Sequence, residues 1–219
     1  MSPQDVADYL HDHPEFFERN PELIASLKLP PAHGGRAISL GERQMMTLRE
    51  KIKVLELRVA ELMRHGKENE AIVEKFQRWT RLLLLQRQGP LLPETLTASL
   101  AEIFNVPQLA MRVWEAGPEL AGLTCAEPVP AEVIRLTDQL SGPYCGAVSK
   151  AHASAIGLLD DAHVQSIALI PLRRGAVPQS FGLLVLGSAD PRRFDQAMAT
   201  DFLSRIGETA SAALTRVLS

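Results

Sequence analysis

Residues 45–83 read MMTLREKIKVLELRVAELMRHGKENEAIVEKFQRWTRLL, and apolar residues recur through this stretch in alternating steps of three and four. Such spacing forms the a/d seam of a coiled coil. The seam positions are Met45, Leu48, Ile52, Leu55, Val59, Leu62, Gly66, Asn69, Val73, Phe76, Thr80 and Leu83. At about 1.5 Å per residue the helix is on the order of 60 Å long. A chain of this size cannot bury it, so we expect a homodimer in which it pairs with the same helix of a second copy.

The middle of this seam is its weakest part. Gly66 and Asn69 occupy consecutive seam positions, where glycine leaves a hole and asparagine buries an amide. These residues fix the register of the pair, or they form a hinge between two halves of the helix. The pattern leaves open which of the two holds, whether the helices pair parallel or antiparallel, and whether two dimers associate.

Composition narrows the classes of function. The chain has 219 residues and a net charge of −3, without the basic face that a large nucleic-acid footprint needs, so nucleic acid is not an expected partner. The first residues, MSPQD, lack the features of a signal peptide, and the longest apolar run, Leu82 to Leu85, is too short to span a bilayer. The two cysteines, Cys125 and Cys145, lack metal-ligand spacing. We therefore expect a reduced cytoplasmic protein without a metal site or membrane contact.

The order of patterns along the chain predicts an α+β protein in three segments. Residues 1–38 form short helices, residues 39–89 the long coiled-coil helix, and residues 90–219 a mixed domain with an antiparallel sheet flanked by helices. Ser39 and Glu42 have the spacing of a capping box at the start of the long helix, and Gly89 and Pro90 end it near residue 88. The mixed domain shows strand patterns at 109–114, more weakly at 123–126, at 144–148, and in a hairpin of 165–172 and 181–188.

Residues of the third segment resemble a GAF domain. Gln165-Ser166-Ile167-Ala168-Leu169-Ile170-Pro171-Leu172 resembles the strand that ends in a proline-hydrophobic pair, and Phe181-Gly182-Leu183-Leu184-Val185-Leu186-Gly187-Ser188 resembles its partner. The pattern from Phe194-Asp195 through Asp201-Phe202-Leu203 resembles the final helix of GAF domains. The resemblance implies a GAF-like domain over 90–219. The signature of cyclic-nucleotide-binding members and the cysteine context of bilin-binding members are missing, so the cofactor is unknown.

The N-terminal half resembles a second family, the bacterial family called domain of unknown function 484. The matching residues are Tyr9-Leu10, His13-Pro14-Glu15-Phe16-Phe17, Pro21-Glu22-Leu23, Leu29-Pro30 and Ser39-Leu40-Gly41-Glu42-Arg43-Gln44. Members of that family join such an N-terminus and a long helix to a GAF-like domain. The resemblance implies an architecture and no established activity.

Five residues are candidates for a ligand site in the GAF-like domain: Trp114, Tyr144, Cys145, His152 and Ser166. In a GAF-like fold the segment Tyr144-Cys145-Gly146 lies close to the usual pocket. GAF-like methionine sulfoxide reductases use cysteines in this region, so Cys145 is either a reactive thiol or a small buried side chain. No Ser-His-Asp order or paired carboxylate spacing stands out, so no catalytic residue is assigned.

These features together predict a non-enzymatic homodimeric sensor or adaptor. Its GAF-like domain would bind a small molecule or a peptide, and the coiled coil would carry the signal to a partner protein. A constitutive dimeric scaffold with a degenerate, ligand-free domain is the alternative. The third hypothesis is a thiol-dependent redox enzyme.

Overall fold

The computed structural model describes residues 2–26, 28–29, 38–159, 163–175, 177–195 and 200–218, and the chain divides into two units, Met1–Glu70 and Ala71–Ser219. We call the first the N-terminal unit and the second the sheet domain. The elements up to the end of the long helix are α1 (Pro3–Asp12), α2 (Glu15–Arg19), α3 (Pro21–Ser26), β1 (Lys28–Leu29), β2 (Ile38–Ser39) and α4 (Leu40–Leu85). Strands β1 and β2 pair antiparallel, with Lys28 opposite Ser39.

The described side chains of the N-terminal unit form no buried core. Its first helix begins with a capping box, in which the Ser2 hydroxyl accepts the amide of Asp5 and the Asp5 carboxylate accepts the amide of Ser2. No side chain described in 2–23, 41 and 43–70 is buried. The expected cap formed by the Ser39 and Glu42 side chains lies outside the described residues. The exposed apolar side chains of this unit are stabilised when they pack against another protein surface.

The long helix α4 spans 46 residues and ends at Leu85 instead of near Gln88. The Gln86 side chain explains the earlier end, because its amide nitrogen donates to the Thr95 hydroxyl and its oxygen accepts the backbone amide of Gln88. A turn of 3-10 helix, Gly89–Leu91, then leads into the next helix.

The sheet domain is built around four antiparallel strands in the order β3-β6-β5-β4. Its strands are β3 (Gln108–Val113), β4 (Tyr144–Ala147), β5 (Ser166–Arg173) and β6 (Ser180–Ser188), and its helices after α4 are α5 (Leu92–Phe104), α6 (Ala131–Gln139), α7 (Ala153–Ile156) and α8 (Asp201–Thr215). Helices α5 and α8 contact the sheet on one side and α6 and α7 contact it on the other. The predicted α+β class with an antiparallel sheet between helices is thus confirmed, and the bounds of these four strands differ from the predicted ones by at most one residue.

The weak strand predicted at 123–126 is wrong. Residues Thr124–Ala126 form a turn of 3-10 helix instead. Gly122 precedes them with a φ of +84°, a left-handed conformation that reverses the chain. The amides of Ala126 and Glu127 then bond to the carbonyls of Leu123 and Thr124, so the segment satisfies its own backbone and lies along β3 without joining the sheet.

The last turns of α4 belong to the core of the sheet domain. Trp79 is fully buried, and its indole nitrogen donates to the Leu96 carbonyl at 3.2 Å. Leu83 is buried in the same cluster, and Phe76 packs against it. The structural division therefore falls at residues 70 and 71, upstream of the boundary expected at residue 90.

Neighbouring leucines in α4 give a matched test of this packing. Leu83 is 2% exposed and Leu84 is 70% exposed. We expect Leu83→Ala to lower the free energy of unfolding by about 2–5 kcal/mol, because it leaves a cavity in the core. Leu84→Ala, with the same loss of atoms, should change it by less than about 0.5 kcal/mol. Urea unfolding followed by tryptophan fluorescence measures both, and equal effects would contradict the described burial.

Candidate functional site

Strand alternation places two of the five predicted ligand residues, Tyr144 and Cys145, on opposite faces of the sheet. Tyr144 lies opposite Leu169 and Cys145 lies opposite Ala168 in the β4–β5 register. Cys145 and Ala168 belong to the larger core cluster with α5 and α8, whereas Tyr144 packs against the smaller cluster with α6 and α7. Successive residues of a strand point to opposite faces, so Tyr144 and Cys145 do not line one pocket.

Tyr144 and His152 are the candidates that the fold brings together. Their ring centroids lie 4.5 Å apart at an interplanar angle of 42°. His152 is buried, and its Nδ1 lies 3.0 Å from the Ser149 hydroxyl. Burial lowers the pKa of His152 below its ordinary value, which favours the neutral ring at pH 7.

The polar side-chain atoms of Trp114 and Ser166 donate hydrogen bonds to backbone carbonyls. The Trp114 indole nitrogen donates to the Ser180 carbonyl at 2.7 Å, and the ring packs against the smaller cluster. Ser166 is fully buried, and its hydroxyl donates to the Asp190 carbonyl at 2.6 Å. Both contacts tie strand ends to neighbouring segments, a structural role that accounts for these residues without a ligand.

The face of the sheet that carries Tyr144 is filled by side chains of the domain itself. Ile167, Leu169 and Val185 are fully buried there. Gly187 lies on the same face, and a Cβ placed on it would come within 2.6 Å of the Leu159 side chain. Leucine and valine side chains therefore occupy the space over Gly187 in this part of the sheet.

Two clefts lie elsewhere on the sheet domain, and neither is lined by any of the five predicted residues. The first, of about 550 Å³, lies between the α6–β4 connection, the β5–β6 turn and α8. Arg173 lines this cleft, and its guanidinium donates to the carbonyls of Thr137, Leu140 and Pro178. These bonds connect the C-terminal end of α6 to the β5–β6 turn. The second, of about 480 Å³, runs beside β3, the edge strand, and we call it the edge cleft. Sequence reasoning missed both, because each draws on segments far apart in the chain.

The predicted seam is exposed along most of its length. Met45, Leu48, Ile52, Leu55, Val59 and Leu62 expose between 53% and 69% of their surface, and Val73 is also exposed. Gly66 and Asn69 are exposed too. Phe76 and Leu83 are exceptions that correct the predicted seam, because they pack in the core of their own sheet domain and Leu83 has no surface left for a second helix. The residues available for pairing therefore run from Met45 to Val73.

The described part of the chain shows neither a membrane-spanning helix nor a metal centre. None of its helices is long and apolar enough to cross a bilayer. Its His, Cys, Asp and Glu side chains also form no group of three or more that could hold a metal ion.

Comparison with known proteins identifies the family. The family described as "Protein of unknown function, DUF484" matches residues 1–219, so the chain belongs to it, and the membership predicted from the N-terminal motifs is confirmed. The chain is 39% identical over 82 residues to "Uncharacterized protein YigA" of Salmonella typhimurium and 40% identical over 83 residues to the protein of that name from Escherichia coli. Each match covers 37% of this chain and 32% of the relative, about a third of either length.

A partial similarity to one solved structure occurs at low sequence identity. It is the GAF domain of a phosphoenolpyruvate-protein phosphotransferase from Acinetobacter, with a TM-score of 0.48 and 14% identity. The similarity covers 66% of this chain and 92% of that domain.

The thiol of Cys145 gives a test of the site assignment. Burial raises the pKa of the Cys145 thiol to about 11. At pH 8 the thiolate fraction is then about a hundredfold lower than for an exposed cysteine. We expect iodoacetamide to label Cys145 at least about a hundredfold more slowly in the native protein than in urea, as measured by peptide mass spectrometry. Rapid native labelling would contradict the buried position and restore a reactive-thiol role.

Proposed function

We propose that this protein is a non-enzymatic adaptor with a regulatory sheet domain, and that it acts as a homodimer joined through α4. The paired helices carry the state of the sheet domain to the N-terminal unit, which engages a partner protein. The regulatory role is supported by the resemblance of the sheet-domain motifs to GAF domains. The absence of an enzymatic role is supported by Cys145, whose thiol is buried in the core and protonated at neutral pH.

One observation carries the homodimer: the apolar stripe of α4 is exposed from Met45 to Val73. Contiguous exposed apolar surface of this kind marks an interface. The stripe has the heptad spacing that a second α-helix of the same sequence fits, because each seam residue packs into a hole between four residues of the facing helix. The N-terminal unit has no core among its described residues, which supports the same conclusion, since pairing gives it one.

Charges beside the stripe favour a parallel pair. In a parallel pair a residue at g faces the residue five positions later, at e, of the other helix. Lys51 and Glu56 stand in that relation, and so do His65 and Glu70. These pairs are exposed, so they set orientation more than they add stability. Gly66 and Asn69, which lie between His65 and Glu70, weaken the seam, and we propose that the pair bends there.

A constitutive scaffold is the second candidate, and the filled face of the sheet favours it. Leu159 and Val164 lie against Gly187 where a ligand would otherwise contact the sheet. With no space over that face, the sheet domain holds the dimer or docks a partner in a fixed state. The two candidates share the paired helix and differ in whether the sheet domain changes state.

Two exposed leucines of α4 test the pairing. Leu55 is 57% exposed and occupies a seam position, whereas Leu57 is 64% exposed and lies on the opposite face of the helix. We expect Leu55→Glu to weaken the dimer by at least about a hundredfold, because it places two like charges in the seam. Light scattering coupled to size-exclusion chromatography at several concentrations measures the mass.

The matched control is Leu57→Glu, which adds the same charge to the same helix. It should leave the dimer intact, because position 57 faces away from the seam. A Leu57→Glu protein that dissociates as readily as Leu55→Glu would refute pairing through this stripe. A wild-type protein of single-chain mass, 24.0 kDa, would refute the homodimer itself.

A further inference from the structure

The edge cleft has apolar side chains beside polar and charged ones. Its wall is contributed by the start of α5, by β3 and by the segments at 123–125 and 158, and the leucines of the wall that keep exposed surface are Leu91, Leu109, Leu123 and Leu158. Its volume of about 480 Å³ lies within the range of small-molecule pockets. A cleft of this lining favours a ligand with an apolar body.

One cation lies in this wall, the guanidinium of Arg112. The Arg112 side chain is only 14% exposed. It donates through Nη1 to the Met111 carbonyl at 3.0 Å and through Nη2 to the Glu127 carboxylate at 3.2 Å. These two bonds use only part of the donor capacity of a guanidinium, which is shaped to hold a carboxylate through two parallel bonds.

The partner of Arg112 is held weakly. The Glu127 side chain is 59% exposed, so its pair with Arg112 is screened by water and contributes little stability. A ligand carboxylate that enters from the apolar side can take the place of Glu127 while Glu127 turns into solvent. The cation then exchanges one carboxylate for another and is never left unpaired.

Cys125 lies near the guanidinium of Arg112. Burial raises the pKa of the Cys125 thiol, and a backbone hydrogen bond and then the positive charge of Arg112 offset part of that rise. Cys125 also lines the cleft, so the field of the guanidinium reaches the wall that a ligand would contact. The remaining charged group of the lining, Glu94, is exposed on α5 and disfavours a second negative charge on the ligand.

We propose that the edge cleft binds an apolar monocarboxylate of the fatty-acid type. The acyl chain lies along the exposed leucine side chains of the cleft, and the carboxylate bonds to Arg112 in place of Glu127. This proposal goes beyond the proposed function and rests on the sheet domain alone, so it holds or fails whether or not the helices pair. Pro90 and Leu91, which follow α4 closely in sequence, also line the cleft, so the ligand touches the connection after the long helix.

Calorimetric titration of the full-length protein with decanoate tests the proposal. We expect saturable binding of one decanoate per chain. Arg112→Gln should weaken it by about tenfold or more, because a charge-assisted contact in a shielded site is lost. The matched control is Arg135→Gln, since Arg135 pairs with Glu132 on the surface at 3.1 Å, and it should leave the affinity unchanged.

A second variant keeps the test decisive if Arg112→Gln does not fold. Glu127→Gln removes the competing carboxylate and leaves the guanidinium in place, so it should bind decanoate several-fold more tightly than the wild type. Its control, Glu132→Gln, removes an equally exposed carboxylate of the surface pair and should have no effect. Tighter binding is an outcome that general damage to the fold does not produce.

Three results would overturn the proposal. The first is the absence of saturable heat with decanoate. The second is equal affinity for decanol, which has the chain without the charge and would show that Arg112 plays no part. The third is unchanged affinity in Glu127→Gln together with unchanged affinity in a folded Arg112→Gln.

Discussion

The helix α4 has more apolar surface on one face than its own chain covers, and this constraint shapes the rest of the protein. From Phe76 onward the face is covered, because Trp79 and Leu83 are buried in the sheet domain. From Met45 to Val73 the same heptad positions are exposed. Apolar surface of that extent in a regular helical stripe is stable in water only when another helix covers it. The proposed homodimer and the proposed passage of a signal both depend on what covers it.

The sheet separates the core of the sheet domain into two clusters, one on each face, and this limits where a ligand can bind. Its face toward α5 and α8 holds the larger core and buries Cys145, and its face toward α6 and α7 is closed by Leu159 and Val164 over Gly187. Both faces are therefore used for folding. The space that remains lies at the margins, and the edge cleft beside β3 is where an apolar wall and a shielded guanidinium occur together.

Sequence periodicity predicted the elements well and their partners less well. The alternation in 165–172 and 181–188 predicted the hairpin, and the heptads predicted the long helix, because both patterns follow from backbone geometry. Phe76 and Leu83 were placed in the seam because a helix packed against its own domain and a helix packed against a second copy show the same spacing. Tyr144 and Cys145 were predicted together because they are adjacent in sequence, but neighbours in a strand face opposite sides, so the sheet separates them. The edge cleft joins Leu91, Arg112 and Leu158, whose proximity no local pattern encodes.

The distance between the two copies of α4 tests the central claim most directly. Nitroxide labels attached to Glu50→Cys and, separately, to Glu61→Cys lie outside the seam on exposed positions, and the native cysteines are buried. Pulsed electron resonance on each labelled protein then measures the distance between equivalent positions of two chains. A parallel pair through the stripe predicts a short distance that is nearly the same at both positions. The lack of any distance between chains, at concentrations where the protein is folded, would contradict pairing through α4.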